Sequence, residues 1–160
     1  MLRMSKLTDY ATVILAHLSH SNGELHAAAD VAARTGLGVA TASKLLKLLA
    51  RAGLVTSVRG AQGGYQLARP ADEISAADVI DALEGPVAIT ACSSADVQCE
   101  LESVCQVSTA WQRINGAIRL ALKDVSLAQL TGAPGTSRPR FDLASTVSSE
   151  IEPATSGSSG

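Results

Sequence analysis

A chain of 160 residues with 46% apolar but only 2% aromatic content must build its core from Ala, Leu, Val and Ile, which favours helices and excludes a large sheet. The formal net charge of −2 hides an asymmetry: residues 1–70 carry eight basic against three acidic side chains, and residues 71–160 five against twelve. No stretch approaches the roughly 20 apolar residues of a membrane span and no secretory apolar region opens the chain, so a cytoplasmic protein with no membrane partner is expected.

Helical periodicity begins at about Thr8 and runs to Ser19, with Leu7, Ala11, Ile14, Leu15 and Leu18 on one stripe and Ser21-Asn22-Gly23 as the stop. A second helix is predicted over Ala27 to Arg34, ended by Thr35-Gly36, and a third over Val39 to Ala52, ended by Gly53. On the third, Ala42, Leu45, Leu46 and Leu49 form the apolar stripe, while Ala40, Thr41, Ser43, Lys44, Lys47 and Arg51 lie away from it. Two short helices joined by a tight Gly-containing turn, the second with a small, polar and basic outer face, have the outline of a helix-turn-helix.

A hairpin follows. Leu54 to Arg59 reads as a strand, Gly60-Ala61-Gln62-Gly63-Gly64 as a flexible turn, and Tyr65 to Ala68 as the returning strand. A two-stranded ribbon directly after a helix-turn-helix is a wing, with Arg59 and Gln62 at its tip, where a cation can reach a minor groove or a phosphate. The third helix would enter the major groove. There Thr41 and Ser43 can hydrogen-bond base edges or phosphates, Ala40 can touch a thymine methyl, and Lys44 and Lys47 can reach guanine acceptors or the backbone.

The acidic half opens with Ser75-Ala76-Ala77-Asp78, an N-cap with a carboxylate at the third position, and its helix is predicted to end at Gly85-Pro86. Next comes ACSSADVQCELESVCQ, which holds every cysteine of the chain, Cys92, Cys99 and Cys105, at spacing C-x6-C-x5-C. An odd count in a reducing compartment is a poor disulfide framework. Three thiolates on a polar segment between helices can converge on one soft metal centre, an iron-sulfur cluster or zinc, or serve as a thiol redox switch. The lack of C-x-x-C knuckles or a nearby His weakens structural zinc, and the surrounding Ser, Asp, Gln and Glu make buried inert thiols a poor fit.

Beyond the cysteines, Val107, Trp111, Ile114, Ile118, Ala121 and Val125 are spaced by 4, 3, 4, 3 and 4 residues, the steps of a helical seam, on a helix from about Gln106 to Lys123. A single long helix of this kind is most economically buried against its own copy, with packing over the first helix of its own chain as the competing arrangement. A homodimer follows, and a symmetric dimer of winged helices reads a pseudo-palindromic double-stranded DNA operator. The expected fold is mainly α with a small β-wing. A winged helix-turn-helix spans 1–70, a cluster-binding loop and dimerisation helix span 71–131, and a disordered tail spans 132–160.

Thr8-Asp9-Tyr10-Ala11, Thr35-Gly36-Leu37, KLLKLLARAGLV from Lys44, Val58-Arg59-Gly60-Ala61-Gln62-Gly63-Gly64-Tyr65, and three clustered cysteines before Trp111 together resemble the IscR/NsrR-type family of bacterial winged-helix regulators. The likeness covers residues 1 to about 130 and is greatest to the branch that regulates SUF iron-sulfur assembly operons. It implies a dimeric repressor in which Cys92, Cys99 and Cys105 hold a [2Fe-2S] or [4Fe-4S] cluster whose occupancy controls DNA binding. Some relatives supply a His three residues after the last cysteine, where this chain has Ser108. Nitric-oxide-sensing relatives use the Asp of T-D-Y as an oxygen ligand from the partner subunit. Asp9 matches that position, although it also suits the first turn of a helix, and Glu100, Glu102 or a small thiol could substitute.

His17, His20 and His26 are expected in capping or surface roles. No nucleophile with a base, paired catalytic carboxylates or phosphate loop emerges, so an enzyme is not expected. A regulator using its cysteines as a thiol switch or zinc site, a nitric-oxide-sensing repressor, and a dimeric protein-binding adaptor are the alternatives.

Overall fold

The computed structural model describes residues 4–21, 23–90, 93 and 105–132. Helix α1 (Lys6–Ser19) starts at Ser5, whose side chain accepts from the Thr8 amide, and buries Thr8, Ala11, Ile14, Leu15 and Leu18 at helical spacing. Helix α2 (Ala28–Thr35) is closed by Gly36 in the left-handed conformation, which turns the chain into α3 (Val39–Arg51). Ala42, Leu45, Leu46 and Leu49 of α3 are fully buried against α1 and α2. The predicted stripes are therefore the packed ones except at Leu7, which lies in the first turn of α1 and is exposed, with boundaries displaced by one or two residues.

Strands β1 (Val55–Val58) and β2 (Gly64–Leu67) pair antiparallel in the register Val55↔Leu67 to Val58↔Gly64. On its other edge β2 is bridged by His26, whose amide donates to the Tyr65 carbonyl at 3.0 Å while the Tyr65 amide donates to the His26 carbonyl at 2.9 Å. His26, two residues before α2, thus forms a third rung behind the wing and fixes it to the helical core.

Helix α4 (Ala76–Glu84) carries the expected capping box between Ser75 and Asp78. Helix α5 (Ser108–Lys123) packs on α4, and a short α6 (Leu127–Leu130), opened by a second capping box between Ser126 and Gln129, returns to α1. The return is held by backbone hydrogen bonds from Ala76 N to Val125 O and from Leu127 N to Ile74 O, each 2.7 Å. The core does not stop at residue 70: Ile74, Val79 and Leu127 join the cluster made by α1, α2 and α3. Among the described residues the fold is mainly helical with one two-stranded antiparallel sheet, as expected for a winged helix. From residue 133 onward the expected tail lies outside the described residues.

Candidate nucleic-acid interface and cysteine segment

The face of α3 opposite its buried stripe carries Ala40, Lys44, Lys47 and Arg51 at steps of four, three and four, so they form one ridge along the helix. Ala40, Lys44, Lys47 and Arg51 are exposed, while Thr41 and Ser43 are half-buried at its flanks. None of the three cations of this ridge makes an ion pair among the described residues, where the two salt bridges are Arg69–Asp78 and Arg119–Asp81. No acidic residue lies in the first turn of α3, whose amides therefore present an uncompensated positive end. Arg59 and Gln62 are exposed in the segment that joins β1 to β2. A ridge of small residues and cations beside an exposed arginine on a fixed ribbon is built for a polyanion whose groove admits a helix.

The glycines of the wing have a tighter role than flexibility. A Cβ on Gly64 would lie 2.8 Å from the carbonyl carbon and oxygen of His26, and one on Gly63 would collide with the Val58 carbonyl oxygen. Both positions require the absence of a side chain because backbone passes directly behind them.

Asp9 lies in the first turn of α1, exposed, and its carboxylate makes no hydrogen bond or ion pair among the described residues. Its neighbour Thr8 is fully buried and donates through Oγ1 to Oε1 of Glu84, which also accepts from the Ser5 amide at 2.8 Å. These hydrogen bonds, that from Thr8 foremost, hold the Glu84 carboxyl below its ordinary range. Glu84 thereby fastens the end of α4 to the start of α1.

Cys92 and Cys99 lie outside the described residues. Cys105 is a half-buried free thiol three residues before α5, and the Ser108 hydroxyl donates to its carbonyl at 3.3 Å. Of the proposed seam, Val107, Trp111 and Ile114 are exposed, Trp111 at 43%, while Ile118 and Ala121 are half-buried. Val107 is the N-cap of α5, and Val125 lies beyond its end, 7% exposed, inside the fold of its own chain. Leu120 adds another exposed apolar residue to α5 that the spacing rule did not include.

His20 caps α1 as expected, with Nδ1 at 2.7 Å from the Ala16 carbonyl. His17 and His26, by contrast, meet edge to face with ring centroids 5.1 Å apart, and neither Nε2 has a hydrogen-bond partner among the described residues. Burial foremost, then the neighbouring His26, Arg34 and His20, lowers the His17 pKa below 6.5. Their separation in sequence, with one on α1 and the other opening α2, concealed the pair.

A helix-turn-helix with a basic, small-residue second helix and a ribbon anchored beside it defines a winged-helix DNA-binding regulator. The chain belongs to the Rrf2 family, described as iron-dependent transcriptional regulators, whose model matches residues 4–133. It is 33% identical to the protein rrf2 of Nitratidesulfovibrio vulgaris over 130 residues, 81% of this chain and 87% of that one. Among solved structures it is similar to CymR, the global cysteine regulator of B. subtilis, with TM-score 0.63 and 30% identity over 82% of this chain and 98% of that chain. It is also similar to IscR of T. potens, with TM-score 0.59 and 28% identity over 82% and 87% of the two chains.

Proposed function

We propose that the protein is a homodimeric, DNA-binding repressor of iron-sulfur assembly genes that reports cluster status through Cys92, Cys99, Cys105 and, from the second copy, Asp9. The observation that carries this reading is the position of the thiols. All of them lie on one segment that leaves the end of α4 and enters the start of α5, while the α4 end is hydrogen-bonded to the turn of α1 that bears Asp9. The donor set fits the group: Cys105 is a free, half-buried thiol, thiolates are the ordinary ligands of iron-sulfur clusters, and the iron-dependent family description agrees with them. A bound cluster supplies a redox-active, labile cross-link among these ligands.

The protein's own residues do the rest. Lys44, Lys47 and Arg51 neutralise phosphates or reach guanine edges, Ala40, Thr41 and Ser43 allow close approach to the major groove, and Arg59 with Gln62 contacts the flanking groove from the wing. The exposed Trp111 and Ile114, with Ile118 and Ala121, supply the face of α5 on which a second copy docks, pairing two reading heads on a pseudo-palindrome.

Similarity to a solved oxidised form of Staphylococcus aureus CymR favours a second reading in which the same thiols act as a redox switch without a metal. Anaerobic purification with visible absorption and iron and sulfide analysis separates the two. Iron and sulfide in stoichiometric amount are expected; colourless, iron-free protein, with or without zinc, sinks the cluster reading. Retardation of a palindromic duplex with a steep salt dependence is expected, and its absence would reject DNA binding. Asp9→Ala is expected to hasten cluster loss while leaving the dimer folded; an unchanged lifetime removes Asp9 from the ligand set.

A further inference from the structure

Helix α5 buries one of its residues among those described, and that residue is polar: Asn115, 6% exposed, between the exposed Ile114 and the half-buried Gly116. Burying a primary amide is unfavourable unless both of its ends are satisfied. Both are. Asn115 Oδ1 accepts from the Ile89 amide and Asn115 Nδ2 donates to the Val87 carbonyl, each at 3.1 Å. The side chain pairs with the backbone on either side of Ala88 as a neighbouring strand would, which fixes the position and the orientation of that stretch.

The stretch it grips is the entry to the cysteine segment. Immediately after it, the Ser93 amide donates to the Thr90 carbonyl at 3.0 Å and the two hydroxyls lie 2.8 Å apart. The exit is fastened to the same helix, because Ser108 Oγ donates to the Cys105 carbonyl at 3.3 Å. Ser108 and Asn115 are seven residues apart, so they lie on nearly the same face of α5 and about 10 Å apart along its axis. Arg119, one turn further along that face, reaches Asp81 of α4 at 3.6 Å, so α4 and the clamp share one side of α5.

We propose that Asn115 is a positioning residue: with Ser108 it holds the two ends of the cysteine segment at a fixed spacing on one face of α5, and thiol reactivity and metal retention depend on that spacing. The inference rests on the proposed function only for the identity of what the thiols bind. Its physical basis is loop closure. Two fixed ends remove much of the conformational freedom that separated ligands would otherwise lose on converging, and releasing one end restores it.

The test uses the full-length, anaerobically purified protein and the variants Asn115→Asp and Asn115→Leu. Aspartate places its second oxygen against the Val87 carbonyl, and the repulsion between the two oxygens pushes the stretch off the side chain, whereas leucine leaves both backbone groups unpaired. Loss of the clamp is expected to accelerate hydrogen exchange at the Ile89 amide roughly tenfold and to shorten the cluster lifetime under a chelator by a similar factor. Apo-protein affinity for non-specific duplex is expected to stay within about twofold, because the α3 ridge and the wing are untouched. If Asn115→Leu does not fold, Asn115→Asp carries the same comparison.

Unchanged exchange at Ile89 overturns the clamp. Faster exchange with a cluster lifetime within about twofold of the unsubstituted protein overturns its positioning role. If the unsubstituted protein holds no iron, the proposed function falls separately, and the alkylation rate of Cys105 in metal-free protein decides the clamp: faster in Asn115→Asp supports it, unchanged rejects it.

Discussion

Replacing Gly64 by alanine tests why the wing carries two consecutive glycines. The added Cβ would sit 2.8 Å from the carbonyl carbon and oxygen of His26 and 2.9 Å from its nitrogen, all backbone atoms that cannot rotate away. Relief requires β2 and the His26 segment to separate, which stretches the reciprocal pair of hydrogen bonds between His26 and Tyr65 at 3.0 and 2.9 Å. Two such bonds at about 1 kcal/mol each make the cost about 2 kcal/mol, in line with the usual cost of forcing one carbon into filled space. For a domain of this size that corresponds to a fall in Tm of roughly 4–8 °C, read by circular dichroism melting.

Because the wing is fixed to the core through this rung, Arg59 is displaced too. Operator affinity at temperatures where the variant is folded is expected to drop about fivefold to tenfold in a gel shift. Gly60→Ala is the informative control. Its φ is +119°, so a side chain there is strained, but nothing lies within 4 Å of the added carbon and the His26 rung stays intact. A Gly64→Ala protein that melts as the unsubstituted chain does, with unchanged operator affinity, refutes the close-approach explanation.

Lys47→Ala removes one exposed cation from the α3 ridge and is expected to lower the slope of log affinity against log salt by about 0.9, measured by fluorescence anisotropy on a duplex. Burial and neighbouring cationic groups lower the His17 pKa, so the folded state binds fewer protons than the unfolded state. The associated stability is complete above about pH 6.5 and is lost as pH falls below it. His17→Gln is expected to flatten urea-unfolding free energies across that window, whereas the unsubstituted protein should lose stability. Glu84 is depressed by its hydrogen bonds to Thr8 and Ser5, so its contribution is present above the ordinary value of about 4.5 and is lost as pH falls through the lower folded value. Glu84→Gln is expected to flatten the acid limb of a Tm–pH profile, and an unchanged acid limb would count against the tie between α4 and α1.

The parts of the fold that were legible in the sequence are those fixed by local chemistry. The α3 stripe follows from spacing alone, and Ser75 with Asp78 is a capping box whose two hydrogen bonds close within three residues. The same signal is present at Ser126 and Gln129, but a four-residue helix has too little periodicity to announce itself, so spacing alone hides α6 and places Val125 on the helical seam. Gly63 and Gly64 read locally as a flexible turn, because the backbone behind Gly64 comes from His26, a contact between distant positions that no local pattern encodes. His17 with His26 and Asn115 with Val87 and Ile89 were hidden for the same reason. A cue did exist for Asn115, since it is a lone amide embedded between the apolar steps Ile114 and Ile118.

The cysteine segment is therefore attached at its entry to two different helices within a few residues. Glu84 ties the end of α4 to Ser5 and Thr8 of α1, and Val87 with Ile89 is tied to Asn115 of α5. Between these attachments lie Gly85 and Pro86, and the proline ring restricts one of the few dihedral angles available to absorb a displacement. A shift of the segment that exceeds this slack must break the Asn115 pairing, break the Glu84 contacts, or carry one helix relative to the other. Breaking the Asn115 pairing strands partly buried groups and breaking the Glu84 contacts strands the buried Thr8 hydroxyl, at about 1–3 kcal/mol for each buried group left unpaired. Small rigid-body movement of α1 against α5 is the alternative that preserves them. Because α1 packs directly on α3 and α5 bears the exposed Trp111 and Ile114, such movement would change the separation and tilt of the two reading heads in the proposed dimer, which is the quantity a palindromic operator measures.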